Sequence, residues 1–375
     1  MLPGVRGLHF VMGRSILRRD NAMKRKQTMT KKYLPLCLIA GLLVSNSLWA
    51  QKSDVQKNPT QKVKKAAQPA PTKTVVAKEK AAPVVGRTAS GAVDVSKMDP
   101  LKLNNQMMMV FMERMKSGNY PEAREIANQM IFGHENFKQT ETKEFKSFHS
   151  LMEKELYMIL EARRGNKKTV EWVEQPVSDG FYLLSILDFQ ENKHEEALAN
   201  MQRAVFWNPV RSAFYTERGF MLLRSNAGPN FLMAQVAYIK ALELADNPED
   251  FVAALRGLAF IFTDRRMTEV GLACLLVAQN FISGDNELEE ELFFIRRNFP
   301  DLFNSMNLEI ARQVLRRNRI LDDYAPEHVQ VLLRLADSYK SPNDAPHAIS
   351  LLRKALSMAP KNQEVIRRLQ ILEKK

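Results

Sequence analysis

Two cysteines, Cys37 and Cys274, are all this 375-residue chain holds, and three tryptophans are its whole complement of that residue. Two thiols allow no disulfide framework, and a lone Cys274 in the apolar run VGLACLLVAQNF reads as a small buried hydrophobe. The apolar core at 34–44 spans eleven residues, short of the roughly 20 that a membrane-spanning helix needs. No glycine-rich phosphate loop occurs, and no G-x-S-x-G turn for a serine nucleophile. His194-Glu195 opens a metalloprotease-like string, but Leu198 stands where the second histidine belongs. The histidines are scattered, without metal-ligand spacing to the cysteines. No stretch beyond residue 98 alternates convincingly between apolar and polar side chains, so no strand is expected. These gaps leave no basis for choosing a catalytic residue, a cofactor or a metal, and the expectation is a protein that is not an enzyme.

Charge is present, but unevenly. The formal net charge is +13. Residues 1–50 carry a balance of +8 and residues 51–98 of +7, which leaves −2 for residues 99–375. Nucleic-acid binding by the long C-terminal part is therefore not expected, because phosphate contacts need a basic surface. Lys31 and Lys32 precede the apolar run, and Leu48-Trp49-Ala50 closes it. A basic flank, a short apolar core and a small residue at the boundary are the parts of a secretory signal peptide. Residues 1–50 are thus expected to be an export signal with cleavage near Ala50, a retained anchor being the alternative. Met23 and Met29 are further candidate starts. Residues 51–98, rich in Lys, Ala, Pro and Gln and without an aromatic residue, are expected to be a disordered tether. Its positive charge suits weak contact with an anionic membrane or wall polymer.

From residue 99 onward apolar-periodic stretches alternate with short polar turns, and the expected class is all-α. Helical pairs are expected at 101–132, 142–175, 178–209, 212–246, 248–282, 288–321 and 329–360, with a charged capping helix from 363. Small residues open the second helices at Ala123, Ala197, Ala234, Gly271 and Ala348, spaced by 74, 37, 37 and 77. A period in the thirties marks a repeat that cannot bury its apolar face alone. The seventh pair carries Leu332, Leu335, Ala336 and Tyr339, then Ala348, Leu352, Ala355 and Pro360. The third carries Phe181, Leu184 and Ser185, then Ala197, Met201, Ala204 and Pro209. The fourth keeps Tyr215, Gly219, Ala234, Tyr238 and Ala241. These residues resemble the tetratricopeptide-repeat signature over about three quarters of the chain.

That resemblance implies a right-handed α-solenoid of six to seven hairpins whose first helices line a concave groove for a peptide or helix. In the family register the groove positions are Met108, Met112 and Met115; Tyr182, Ile186 and Phe189; Phe220 and Leu223; Leu258 and Ile261. Burial of these residues by the packing of the superhelix itself is the competing account. Arg312, Arg316 and Arg319, at i, i+4 and i+7, would share one helix face and could dock an acidic partner, or merely form a solvated face. The expected function is an exported, periplasmic or cell-envelope adaptor that binds a protein or peptide and needs no cofactor. The alternatives are a holdase-like chaperone for secreted subunits and an envelope enzyme or its regulatory subunit.

Overall fold

The computed structural model describes residues 100–373 except 342 and 343, so the expected signal peptide and tether lie outside the described residues. Turn chemistry sets the first helix ends. After α1 (Pro100–Lys116), Gly118 takes a φ of +73°, and the Asn119 side chain accepts the Glu122 N–H to start α2 (Tyr120–Ile131) with proline in its first turn. Farther on, α4 (Val177–Gln190) turns into α5 (His194–Trp207), α6 (Ser212–Leu223) into α7 (Phe231–Leu244), and α8 (Pro248–Asp264) into α9 (Thr268–Phe281). Asn230 and Asn247 cap α7 and α8 by accepting the N–H groups of Met233 and Asp250 at 3.1 and 2.8 Å.

Small residues let these helices approach. The periodic alanines Ala123, Ala197 and Ala234, and with them Ala204 and Ala241, are fully buried. The Tyr238 ring fills the space between α6 and α8: a Cβ added at Gly257 would lie 2.3 Å from it, and one at Gly219 2.8 Å. Gly180 admits Ile131 and Met130 of α2 in the same way. α2 packs on α4, α5 on α6, and α7 on α8, so α1/α2, α4/α5, α6/α7 and α8/α9 form one continuous run of four hairpins.

Three expectations need correction. Residues 142–175 are not a helical pair. They form β1 (Lys143–Lys146), α3 (Leu151–Arg163) and β2 (Thr169–Trp172), with the strands parallel and Lys143 opposite Thr169. A parallel pair needs a crossover, which α3 supplies. Four-residue strands are too short to print an alternating pattern in the sequence. Because α2 packs directly on α4, this segment is an insertion in the run. The 74-residue spacing from Ala123 to Ala197 is therefore one step of 37 plus an insertion of equal length.

Next, the irregular sixth pair is three helices, α10 (Asn286–Asn298), α11 (Pro300–Ser305) and α12 (Leu308–Arg317). α9 packs on both α10 and α12. Last, α13 (Pro326–Ser338) and α14 (Ala345–Met358), followed by α15 (Gln363–Glu373), do not simply extend the row. α13 packs on α3, some 170 residues upstream. A stack in which each repeat meets only its neighbours would not make that contact. The structure is mostly helical, but it departs from a plain linear stack at both the insertion and the last hairpin.

Candidate functional site: the face of the first helices

The ten expected groove residues divide by burial. Met108, Tyr182, Leu258 and Ile261 are buried, the last two completely, and belong to the core instead of to an open surface. The tight approach of neighbouring hairpins is the reason: Tyr182 stacks against Phe214 of α6 with ring centroids 5.0 Å apart. The remaining six, Met112, Met115, Ile186, Phe189, Phe220 and Leu223, are half-buried. The structure brings Phe189 and Phe220 together across two hairpins, 5.6 Å between centroids and nearly edge to face. The Arg224 guanidinium lies 5.7 Å from the Phe220 ring, and His194 meets Phe189 at 4.7 Å. A small aromatic strip with a cation beside it is what survives of the expected apolar groove.

Elsewhere on the first helices lies a set of ionisable groups that the sequence reading missed. Asp179, in the first turn of α4, is 1% exposed. Its carboxylate pairs with Arg211, accepts from Asn104 Nδ2 at 2.6 Å and sits 3.2 Å from His149 Nδ1. Burial alone would raise the Asp179 carboxyl, but Arg211 and His149 outweigh it and hold the group well below the usual carboxylate range. Arg211 is itself mostly buried, which opposes its charge, yet Asp179 keeps it firmly protonated. This pair ties α1, the insertion, α4 and the start of α6 together.

Glu217 on α6 and Asp250 on α8 behave oppositely. Burial, then the nearby Asp250 carboxylate, pushes Glu217 up to about 8. Burial, then Asp246, pushes Asp250 up to about 6. Near neutrality Glu217 holds its proton part of the time and can donate a hydrogen bond as well as accept one. On α8, burial would discharge Arg256, but Glu291 and Glu287 prevail, with Glu287 at 2.8 Å and Glu291 at 3.1 Å. The signal for Asp179 was present in the sequence: α4 is otherwise nearly all apolar, and an acid inside such a helix must be buried with a partner. Asp188 on the same helix obeys the same rule, accepting Arg124 and Asn200 at 2.7 Å each. Nothing local marks Glu217 or Asp250.

The arginine face is corrected. α12 ends at Arg317, Asn318 caps it, and Arg319 follows with a φ of +58°, off the helix. Arg316 pairs with Asp322 at 2.8 Å, and Arg312 lies 3.9 Å from the same carboxylate. The chain thus supplies its own acid to the two arginines that do share a face. Cys274 is fully buried, and burial pushes its thiol far above its ordinary value, as expected of an inert hydrophobe. Among the described residues no group of three or more His, Cys, Asp or Glu side chains is placed to hold a metal. No protein-family model matches the chain, and a search of curated proteins finds no relative. The likeness to tetratricopeptide repeats therefore stands on the residues quoted above and on no outside relative.

Proposed function

We propose that this chain is a non-catalytic interaction scaffold, a solenoid-like run of hairpins that grips a helix or extended peptide along its first helices. The supporting observation is the Phe189–Phe220 pair with Arg224 beside it: half-buried aromatic side chains from two successive hairpins, with Glu217 three residues before Phe220 on α6. Aromatic residues, phenylalanine among them, and arginine are enriched at protein interfaces. The pattern at 31–50 supports an exported chain working at the cell envelope, with 51–98 as its tether. No helix of the described residues is long and apolar enough to cross a membrane.

Photo-crosslinking from position 220 in cells tests this reading. One stoichiometric partner, lost when Phe189→Ala is added to that chain, is expected. Crosslinks from Leu232 on α7 but none from 220 would move the binding surface elsewhere. A chaperone reading rests on a different observation, the large apolar side chains left open at Phe132, Leu232 and Phe293, each more than 60% exposed. Capture of many unfolded clients through those positions would favour it. An enzymatic reading would use Glu217; turnover by the purified chain that vanishes in Glu217→Gln would replace the scaffold.

A further inference from the structure

α13 has a stripe that meets the rest of the protein. His328, Val331 and Leu335 stand at i, i+3 and i+7, one face of the helix. Val331 and Leu335 pack with Leu156 and Ile159 of α3, Val210 and Leu244. His328, on the same stripe, has no solvent exposure at all, and neither ring nitrogen meets a hydrogen-bond partner of ordinary geometry. It is also the third residue of the helix, where the N-terminal end of the helix dipole disfavours a cation. The rest of the contact is polar and partly solvated: Lys354 of α14 reaches Asp246 at 2.8 Å, Arg163 pairs with Glu327, and Arg334 lies 3.8 Å from Glu155. Behind this contact the hairpin has a core largely of its own, with Leu332, Ala348, Leu352, Ala355 and Val365, against which Met152 of α3 also packs. It can therefore part from α3 while keeping most of its own packing, giving up the contact with Met152.

We propose that the α13–α14 hairpin is an acid-released latch, held on α3 and the α7–α8 corner while His328 is neutral and let go when its ring takes up a proton. An imidazolium cannot stay in that stripe without water or a partner. The charged groups around the ring do not rescue it. Burial disfavours the proton most; Asp246 and the backbone of Glu243 favour it, Lys354 opposes it and Glu327 favours it, and the balance lies below the ordinary histidine value. The sign follows. Below about 6.5 the freed ring binds a proton that the docked ring refuses, so docking weakens as pH falls through that value. The Lys354–Asp246 pair does not release first, because Lys354 and its other neighbours hold the Asp246 carboxyl below its usual range despite burial. Release uncovers the apolar side chains of α3, Val210 and Leu244.

Hydrogen exchange of the full chain at pH 7.5 and pH 5.5, corrected for intrinsic rates, tests the latch. One proton over that window raises the opening constant of α13 by up to about tenfold. α6 and α9 should show no such loss, and His328→Leu should remove the pH dependence of α13. Should that variant fail to fold, the ring titration of wild-type His328 by NMR decides, with a midpoint below the ordinary value expected. Equal α13 protection at the two pH values, an unchanged pH dependence in His328→Leu, or a ring titrating at or above its ordinary value would overturn the proposal.

Discussion

The run of four hairpins and the C-terminal hairpin use the same helix-pair chemistry and are joined to their neighbours in opposite ways. Within the run, glycine and alanine bring helices close enough for Tyr238 to fill the gap between Gly219 and Gly257, and buried ions such as Asp179 and Arg211 link successive elements. The last hairpin keeps its alanines for its internal packing and meets α3 and the α7–α8 corner through aliphatic side chains, a buried histidine and partly wet ion pairs. Contacts within the run join elements close in sequence, whereas the last hairpin depends on a contact across some 170 residues. Protons widen that contrast. Glu217 keeps its proton in the fold up to about 8, against 4.5 in an unfolded chain, and Asp250 up to about 6, against 3.8. In each case the folded state binds more protons within the window, so their contribution to stability falls as pH rises through it. His328 does the reverse, and acid thus strengthens the run while loosening the hairpin.

The largest expected effect is in the run. Asp179→Ala strands Arg211 in a buried position and leaves Asn104 and His149 without their acceptor. Breaking one side of a buried pair costs about 3–5 kcal/mol, which urea unfolding followed by far-UV dichroism would read. A loss below 1 kcal/mol would mean that the run does not depend on this tie. Gly257→Ala comes next. Its Cβ would strike the Tyr238 ring, and over-packing of about 2 kcal/mol exceeds the helix-propensity gain of roughly 1. Tyr238→Leu in the same chain should recover part of the loss. Glu217→Gln changes sign: it stabilises the run at pH 7.5 by about 1 kcal/mol, less than the full shift because the side chain keeps some water, and has no effect at pH 4. A destabilised variant at pH 7.5 would show that Glu217 has a partner when ionised.

What could be read from the chain follows from range. Ala197, Ala234 and their companions were legible because close helix approach demands small residues at a fixed step, and a step of 37 repeats visibly. The same regularity misled at Ala123, where an insertion of one step imitates a missing repeat. Lys143–Lys146 and Thr169–Trp172 gave no signal because four residues hold too little alternation and each strand needs the other to exist. Tyr182, Leu258 and Ile261 were assigned to a surface because the repeat register tells which way a side chain points, not how closely the next hairpin covers it. The docking of α13 on α3 was invisible for a different reason: Val331 and Leu335 look like ordinary core positions, and nothing in their spacing names the helix they meet. Asp179 and Asp188 could have been singled out as acids in an apolar helix. Glu217 and Asp250 could not, since their character comes first from burial between helices and then from Asp250 and Asp246 respectively.

The smallest effect sharpens the contrast most. Arg334 is largely exposed and stands 3.8 Å from Glu155 across the α13–α3 contact. A pair in that setting is screened and costs side-chain freedom to hold, so Arg334→Ala should change unfolding stability by less than about 0.5 kcal/mol. Val331→Ala, which removes two methyl groups from the fully buried stripe, should cost about 1–2 kcal/mol by transfer and cavity terms together. If the hairpin is held by its apolar stripe and a neutral His328, the α13 amides lose protection in Val331→Ala and keep it in Arg334→Ala. The reverse order would make the contact electrostatic. It would then weaken in salt, and acid release would have to be traced to Glu155 or Glu327, because a contact held by surface charge gives a buried ring no leverage over whether the hairpin stays.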